Sequence, residues 1–360
     1  CLVDVAGVPT LLWKLIEEIR PNDCVAIQRT PPTEFGPAEW RETLEATLVG
    51  AFISEGFVSK QRAGFNNLDR EYFNMVLAAF DAVVGGPRYV YERTIGSGSN
   101  LLELDIQNMK AVHTSCLAEL LGQRSADKVV PQWLWQSAAA VKRAFLGALF
   151  EGDGSCSALP RNTIQVSYST RSGQLAKDVQ QMLLEFGVIS RRYLHATGEH
   201  KVVITNRAHA ETFALQIGFG GIKQVKLEGI LAALPAKAGG LGTDYVPGLA
   251  AFIRGHSGGG WVDKEWLRKH NIDRLSRWQR DGAEILGHIA DADVRSVAAD
   301  LTDGRFYYAR VASVVDAGVQ SVYSLRVDTD DHSFITNGFV SHNTEARLTP
   351  LAMEMLREID

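Results

Sequence analysis

The sequence predicts an α+β protein in which one αββαββα unit occurs twice, with pseudo-twofold symmetry, between β-rich ends. Three observations carry this. The segments LVGAFISEG (48–56) and LGALFEGDG (146–154) are both apolar, rich in small residues and closed by an acid followed by glycine. A similar run of helix, strands, helix, hairpin and helix accompanies each, the second copy lying 98 positions after the first, counted from Glu55 to Asp153. Residues 1–30, and those from Phe306 onward, carry short β-branched runs, the signal of strands.

Taken in order, VDVAG and CVAIQR read as strands broken by Gly7, Pro9 and the Pro21-Asn22-Asp23 turn, and Pro31-Pro32-Thr33 with Gly36-Pro37 reads as a boundary. Trp40, Leu44, Leu48 and Phe52 recur every four residues, one face of a helix ending near Gly56. Tyr72, Phe73, Val76, Leu77 and Phe80 predict a helix over 69–84. A hairpin follows, RYVYERTI and LLELDIQ around Gly96-Ser97-Gly98-Ser99, then a helix over about 108–121. The second copy gives a helix ending at Gly154, a strand over 163–169, a helix over about 172–186, a hairpin joining SRRYLHA to KVVITN, and a helix over 207–217. Residues 237–260 are glycine-rich and read as a flexible connection. Residues 261–300, with Trp261, Trp266 and Trp278, read as helical. RVASVV, VYSLRV and SFITNGFV return to strand, and Thr344–Asp360 switches to a strong helix former.

With 360 residues, 46% of them hydrophobic and 22% charged, the chain can bury two or three cores, at roughly 100–200 residues per domain. The sequence has no apolar run long enough to span a membrane and no basic n-region followed by an apolar stretch, so neither a membrane partner nor a signal peptide is expected. Cys1, Cys24, Cys116 and Cys156 lie far apart with no C-x-x-C spacing. That argues against a zinc site or a disulfide framework and for a reducing cytoplasm. The net charge of −5 argues against a generic polyanion binder. Clusters at Lys60/Arg62, Arg191/Arg192, Lys223/Lys226 and Lys264 to Arg280 keep DNA open, because local clustering matters more than the sum.

Small residues on two helices let their backbones approach closely, which would set Glu55 and Asp153 side by side at the helix ends. Two carboxylates there repel each other and the helix dipole, so the arrangement calls for a cation. Hard oxygen ligands suit Mg²⁺ beside phosphate, as in phosphodiester cleavage. LVGAFISEG and LGALFEGDG resemble the paired motifs of LAGLIDADG (DOD-type) homing endonucleases, and Lys128-Val129-Val130-Pro131 resembles the lysine-proline element of that family. The departures are Glu55 in place of aspartate and the order Gly147-Ala148 in the second copy. The resemblance implies that Glu55 and Asp153 bind metal, one for each strand cut, and that Lys128 stands near the attacking water. It also implies that the hairpins at 88–107 and 191–205 lie along the major groove of double-stranded DNA. Arg88, Tyr89, Arg93, Arg191, Arg192 and Lys201 are the candidates for contact.

A second chemistry is legible in VYSLRVDTDDHSFITNGFVSHNT (322–344). An asparagine amide can attack its own backbone carbonyl and cut the chain by forming a succinimide. His342 precedes Asn343 as a proton donor, His332 is an upstream acid-base partner, and Thr344 supplies a hydroxyl able to accept an acyl group. The segment is similar to the C-terminal blocks of inteins, which place Asn343 at the end of the intein and Thr344 at the start of the C-extein. CLVDVAGVPT fits neither the Cys-x-x-Gly-Asp-like turn nor the Thr-x-x-His segment of an intein start. The resemblance therefore implies that Cys1 is not the splicing nucleophile and that the missing N-terminal intein segment is a partner. TEARLTPLAMEMLREID (344–360) resembles DNA gyrase A just after its active-site tyrosine, so the whole resembles a mycobacterial-type gyrase A intein.

The expected divisions are 1–36, a partial all-β Hint (splicing) domain; 37–236, the endonuclease; 237–300, a linker or helical region; 301–343, the C-terminal Hint segment; and 344–360, the extein. The resemblance implies DNA gyrase B as partner of the spliced host and no cofactor for splicing. Two other readings stay open: an inactive scaffold, and a fragment of the topoisomerase itself.

Overall fold

The computed structural model describes residues 1–29, 37–96, 98–160, 162–235, 244–256, 272–316, 318–319, 327, 332–336 and 338–342. Asn343, Thr344, Trp261 and Trp266 lie outside the described residues. The chain divides into two units, one of residues 1–29 with 242–360 and one of residues 30–241.

In the first unit, β1 (Leu2–Val5) and β2 (Val8–Leu11) form a hairpin. Ala6 and Gly7 turn it with φ of 50° and 87°, the left-handed pair that a two-residue hairpin requires. β3 is Cys24–Gln28. In the second unit, α1 (Trp40–Ser54) leads into β4 (Gly56–Val58), β5 (Ala63–Asn67), α2 (Arg70–Val83), β6 (Tyr89–Thr94), β7 (Asn100–Ile106) and α3 (Met109–His113). A single turn, α4 (Gln132–Trp135), precedes the second copy: α5 (Ala139–Asp153), β8 (Gly154–Leu159), β9 (Thr163–Thr170), α6 (Gly173–Glu185), β10 (Arg191–Leu194), β11 (His200–Ile204) and α7 (Arg207–Gln216). α8 (Ile222–Ala233) closes the unit.

The two copies fold alike. Their antiparallel sheets run β4-β5-β7-β6 and β8-β9-β11-β10, the same order. In each, one sheet face carries the apolar side chains (Ala63, Phe65, Leu102 and Leu104; Ile164, Val166, Tyr168 and Val202) and is buried in one core shared with α1 and α5. The helix expected over 108–121 is cut to α3. Thr114 Oγ donates to the carbonyls of Lys110 and Ala111, Ser115 Oγ donates to that of Val112, and Leu117 N donates to Ser115 Oγ. Local side-chain bonds of this kind compete with helix propagation.

α1 and α5 pack along their small-residue faces. A Cβ built on Gly50 would stand 2.5 Å from the Phe145 carbonyl oxygen and 3.2 Å from Ala148 Cβ. On Gly152 it would collide with the Ser54 side chain and stand 3.1 Å from Glu55 Cγ. Tyr72 adds a cross-brace from α2, its hydroxyl donating to the Ala148 carbonyl over 2.7 Å. Because the facing backbone leaves no room at Gly50, a side chain there must push the helices apart. Gly50→Ala is expected to cost about 2–3 kcal/mol of unfolding free energy, read as a lowered denaturation midpoint.

The first unit resumes with α9 (Leu249–His256), α10 (Leu275–Gly287) and α11 (Ala292–Thr302), then β12 (Phe306–Arg310), β13 (Ser333–Thr336) and β14 (Phe339–His342). β12 and β14 pair with β3, and β13 with β14. Leu249, Phe252, Ile253, Trp278, Ile285 and Ala298 share a core with Leu2, Cys24 and Tyr308. Part of the stretch read as a glycine-rich connection is thus the helix α9, with apolar residues at i, i+3 and i+4 facing this core. Among the described residues no helix is long and apolar enough to cross a membrane, and all four cysteines are free thiols.

Candidate functional site

Glu55 is the residue that ends α1, and Asp153 is the last residue of α5. The lack of room for a Cβ on Gly152 beside Ser54 and Glu55 sets the two helix ends against one another; both acids are exposed as residues, but the Asp153 carboxyl is enclosed. Crowding around its carboxyl, and then the facing Glu55, push Asp153 up to about 7, partly offset by Lys128 and Lys223. Two carboxylates held together, one of them reluctant to ionise, form a hard-oxygen donor pair short of positive charge. That fits a divalent cation with phosphate and water completing its shell. Among the described residues no cluster of three or more His, Cys, Asp or Glu is poised to hold a metal by itself.

Lysines stand on both helix ends. Lys128 Nζ donates to the Ile53 carbonyl over 2.6 Å. Lys223, from the first turn of α8, donates to the carbonyls of Glu151, Gly152 and Gly154, the last two at 2.8 Å each. Ile53 and Glu151 are 98 positions apart, as are Glu55 and Asp153, so the two ammonium groups occupy matching places in the two copies. Burial lowers the pKa of both, and both acids oppose that shift. Glu151 anchors α8 in return: its carboxylate accepts from Gly221 N at 2.8 Å and Lys223 N at 3.4 Å, an anion on a helix N-terminus. In sequence Lys223 reads only as one of a basic pair with Lys226. Spacing gave no signal for it: Lys128 follows Ile53 by 75 positions, and the same step from Glu151 falls on Lys226, whereas Lys223 follows Glu151 by 72.

The DNA-contact candidates divide. Arg88 forms a two-bond pair with Asp81, at 2.7 and 2.6 Å. Arg93 does the same with Glu103, at 2.8 and 3.3 Å. Tyr89 stacks on Tyr91 and is exposed. Arg191 and Arg192 are exposed on β10, and Lys201 is half-buried on β11.

In the first unit, His342 closes β14 and faces Ser333 across the hairpin. The His332 and His342 rings lie 6.3 Å apart, edge to face, and His332 holds a left-handed φ of 49°. Trp13, which carries no signal of a role in the sequence, packs its ring 4.9 Å from that of His342. Its neighbour Lys14 is tied to Asp23 by a 2.5 Å ion pair.

Residues 140–218, which carry Asp153, match the LAGLIDADG-like domain family. Over all 360 residues the chain is 78% identical to DNA gyrase A of Mycolicibacterium flavescens, of which it spans 65%. Over 347 residues it is 71% identical to that of Mycobacterium malmoense, of which it spans 73%. The chain belongs to the DNA gyrase A family. It also aligns over 96% of its length, at 24% identity, with the replicative DNA helicase DnaB of Synechocystis, of which it spans 42%. Among solved structures, the homing endonuclease I-WcaI bound to its DNA recognition sequence aligns with a TM-score of 0.39 and 16% identity, covering 52% of this chain and 83% of that one.

Proposed function

We propose that the second unit is a homing endonuclease making a double-strand cut in DNA, and that the juxtaposed helix ends bearing Glu55 and Asp153 are its centre. The helix packing at Gly152 carries this reading. Glu55 and Asp153 would hold Mg²⁺, which when bound polarises the scissile phosphate and lowers the pKa of its water. This chain's own contribution is to hold the acids at fixed separation and to add positive charge beside the phosphate through Lys128 and Lys223. The alternation of the two sheets leaves an outward face free for the duplex. A plasmid carrying the host gene without the insertion, incubated in Mg²⁺, should be linearised by the wild-type chain and not by Glu55→Ala or Asp153→Ala. Equal cleavage by all three would defeat the assignment of these acids, and no cleavage by any would favour an inactive scaffold.

The first unit supports protein splicing by a Hint-type β framework. His332 and His342 face each other at the end of the β13–β14 hairpin, immediately before Asn343. The alignment of one chain with both a gyrase and a helicase is what an element inserted into unrelated hosts would produce. Leu12, Trp13, Leu15 and Ile16 are exposed by 46%, 59%, 60% and 87%, an apolar surface larger than isolated residues usually leave. That surface suits a further β-rich intein segment packed on it. The side-chain amide of Asn343 attacks its own carbonyl, the bond to Thr344 breaks, and the new amino group of Thr344 takes a proton that His342 can relay. Mass spectrometry of the purified chain should show release of the peptide Thr344–Asp360, and its retention in Asn343→Ala. Release from both proteins would rule out asparagine cyclisation. The topoisomerase reaction, with DNA gyrase B, belongs on this reading to the spliced host in the cytoplasm, where four free cysteines are at home.

A further inference from the structure

The outward faces of the two sheets differ in how far their cations are already paired. Directly opposed residues of neighbouring strands share a face, so the registers assign each side chain. In the first sheet, Tyr89 is opposite Asp105, Tyr91 opposite Glu103, and Arg93 opposite Leu101. Gly64 and Asn66 continue the rows from Asp105 and Glu103. On that face the ribbon presents one arginine, Arg93, against two carboxylates, and it is already paired with Glu103, while Arg62 from the β4–β5 turn lies over the Phe57 ring. Arg88, at the foot of the ribbon, is paired with Asp81, and Arg70 with Glu92 on the other face.

In the second sheet, Arg191 is opposite Val203 and Tyr193 opposite Lys201. Ser167 and Ser169 continue those rows, with Ser155, Ser157 and Gln165 beyond them. That face carries two cations along its strands and one carboxylate, Glu199, which follows in the same row opposite His195 at the turn. Arg192 adds a third cation, exposed on the edge strand but turned to the face of Val202. Among the described residues none of these three cations has an ion-pair partner.

We propose that the β10–β11 ribbon supplies the phosphate grip on duplex DNA, and that the β6–β7 ribbon meets the other half-site with its charges already neutralised, presenting Tyr89, Tyr91 and the Arg93–Glu103 pair to base edges. This rests on the DNA-cleaving reading above. The physical reason is the balance of each face. A phosphate that draws Arg93 away from Glu103 leaves Glu103 and Asp105 both facing it, so the exchange gains nothing. Arg191, Arg192 and Lys201 give up only water and counterions. Polyelectrolyte binding then makes the salt dependence local to one ribbon, with each phosphate contact adding about 0.9 to the slope of log affinity against log salt.

The test is binding of the whole chain to a short random-sequence duplex in EDTA, followed by fluorescence anisotropy over a salt series. Phosphate contacts do not depend on sequence, so no cognate site is needed, and without a divalent cation nothing is cut. The variant Arg191→Gln/Arg192→Gln/Lys201→Gln should lower the slope by about 2–3 and weaken low-salt binding by more than about tenfold. Arg88→Gln/Arg93→Gln should change the slope by less than about 1. None of the five side chains is fully buried, and circular dichroism would check that both variants keep the wild-type fold. An equal or larger fall in slope for the Arg88/Arg93 variant, or no fall for the triple variant, overturns the proposal. Failure of the wild-type chain to bind duplex at all defeats instead the reading on which it rests.

Discussion

Asp153→Asn is expected to abolish double-strand cleavage, by roughly 10³-fold or more, equivalent to about 4 kcal/mol of barrier, while leaving duplex affinity in EDTA within about twofold of wild type. The substitution keeps the shape of the side chain and removes the charge that balances a cation. It also removes the group that burial and Glu55 hold at about 7. The sign of the pH dependence follows from that shift. A carboxyl whose folded-state pKa is raised favours the folded state when protonated, so its contribution is fully present below the unfolded value of about 3.9. It is lost as pH rises through about 7. The cation-free wild-type protein should therefore lose melting temperature between about pH 4 and pH 7, and Asp153→Asn should lose less. Binding of Mn²⁺, followed by its electron paramagnetic resonance signal, should strengthen in wild type over the same window, because the carboxyl must ionise to serve as ligand. A flat affinity across that window, or Mn²⁺ binding unchanged in Asp153→Asn, would remove Asp153 from the metal site.

Lys223→Met and Lys128→Met should separate two lysines that look alike in sequence. Lys223 caps three carbonyls at the end of α5 and Lys128 caps one at the end of α1. Hydrogen bonds from a charged donor contribute more than neutral ones, and unmade buried acceptors are costly. Lys223→Met is thus expected to lower unfolding free energy by about 2–4 kcal/mol and Lys128→Met by about 1 kcal/mol. The larger loss has a second source, since Glu151 is buried and would lose a nearby positive charge. Chemical denaturation measures both. In the plasmid assay each variant should accumulate nicked circles, as one strand loses the ammonium beside its phosphate while the other keeps it. Full linearisation by either variant at the wild-type rate would show that its lysine serves only as a helix cap.

The features legible in the sequence were those written locally. Acid-glycine endings on small-residue helices, the recurrence of the unit, and the His-Asn-Thr junction all depend on neighbours within a turn or a strand. The sequence could therefore place Glu55 and Asp153 at the ends of their helices, and in the structure each stands there. It could not show that Arg88 and Arg93 are already paired, because Asp81 lies seven positions away and Glu103 ten, across turns whose geometry decides the contact. The helix α9 was hidden by the glycines around it, since only a core to face turns Leu249, Phe252 and Ile253 into a helix stripe.

Composition and periodicity, acting through local backbone preference and the burial of one face, determined by themselves that this chain would build two like units around paired acidic helices inside β-rich ends. Tertiary structure alone decided which charges are left over. Lys223 reaches α5 from 72 positions downstream, Tyr72 braces Ala148 from 76 positions upstream, and Trp13 meets His342 from the far end of the chain. Such pairings follow from where packed elements bring side chains within a few ångströms, and separation along the chain carries no information about that distance.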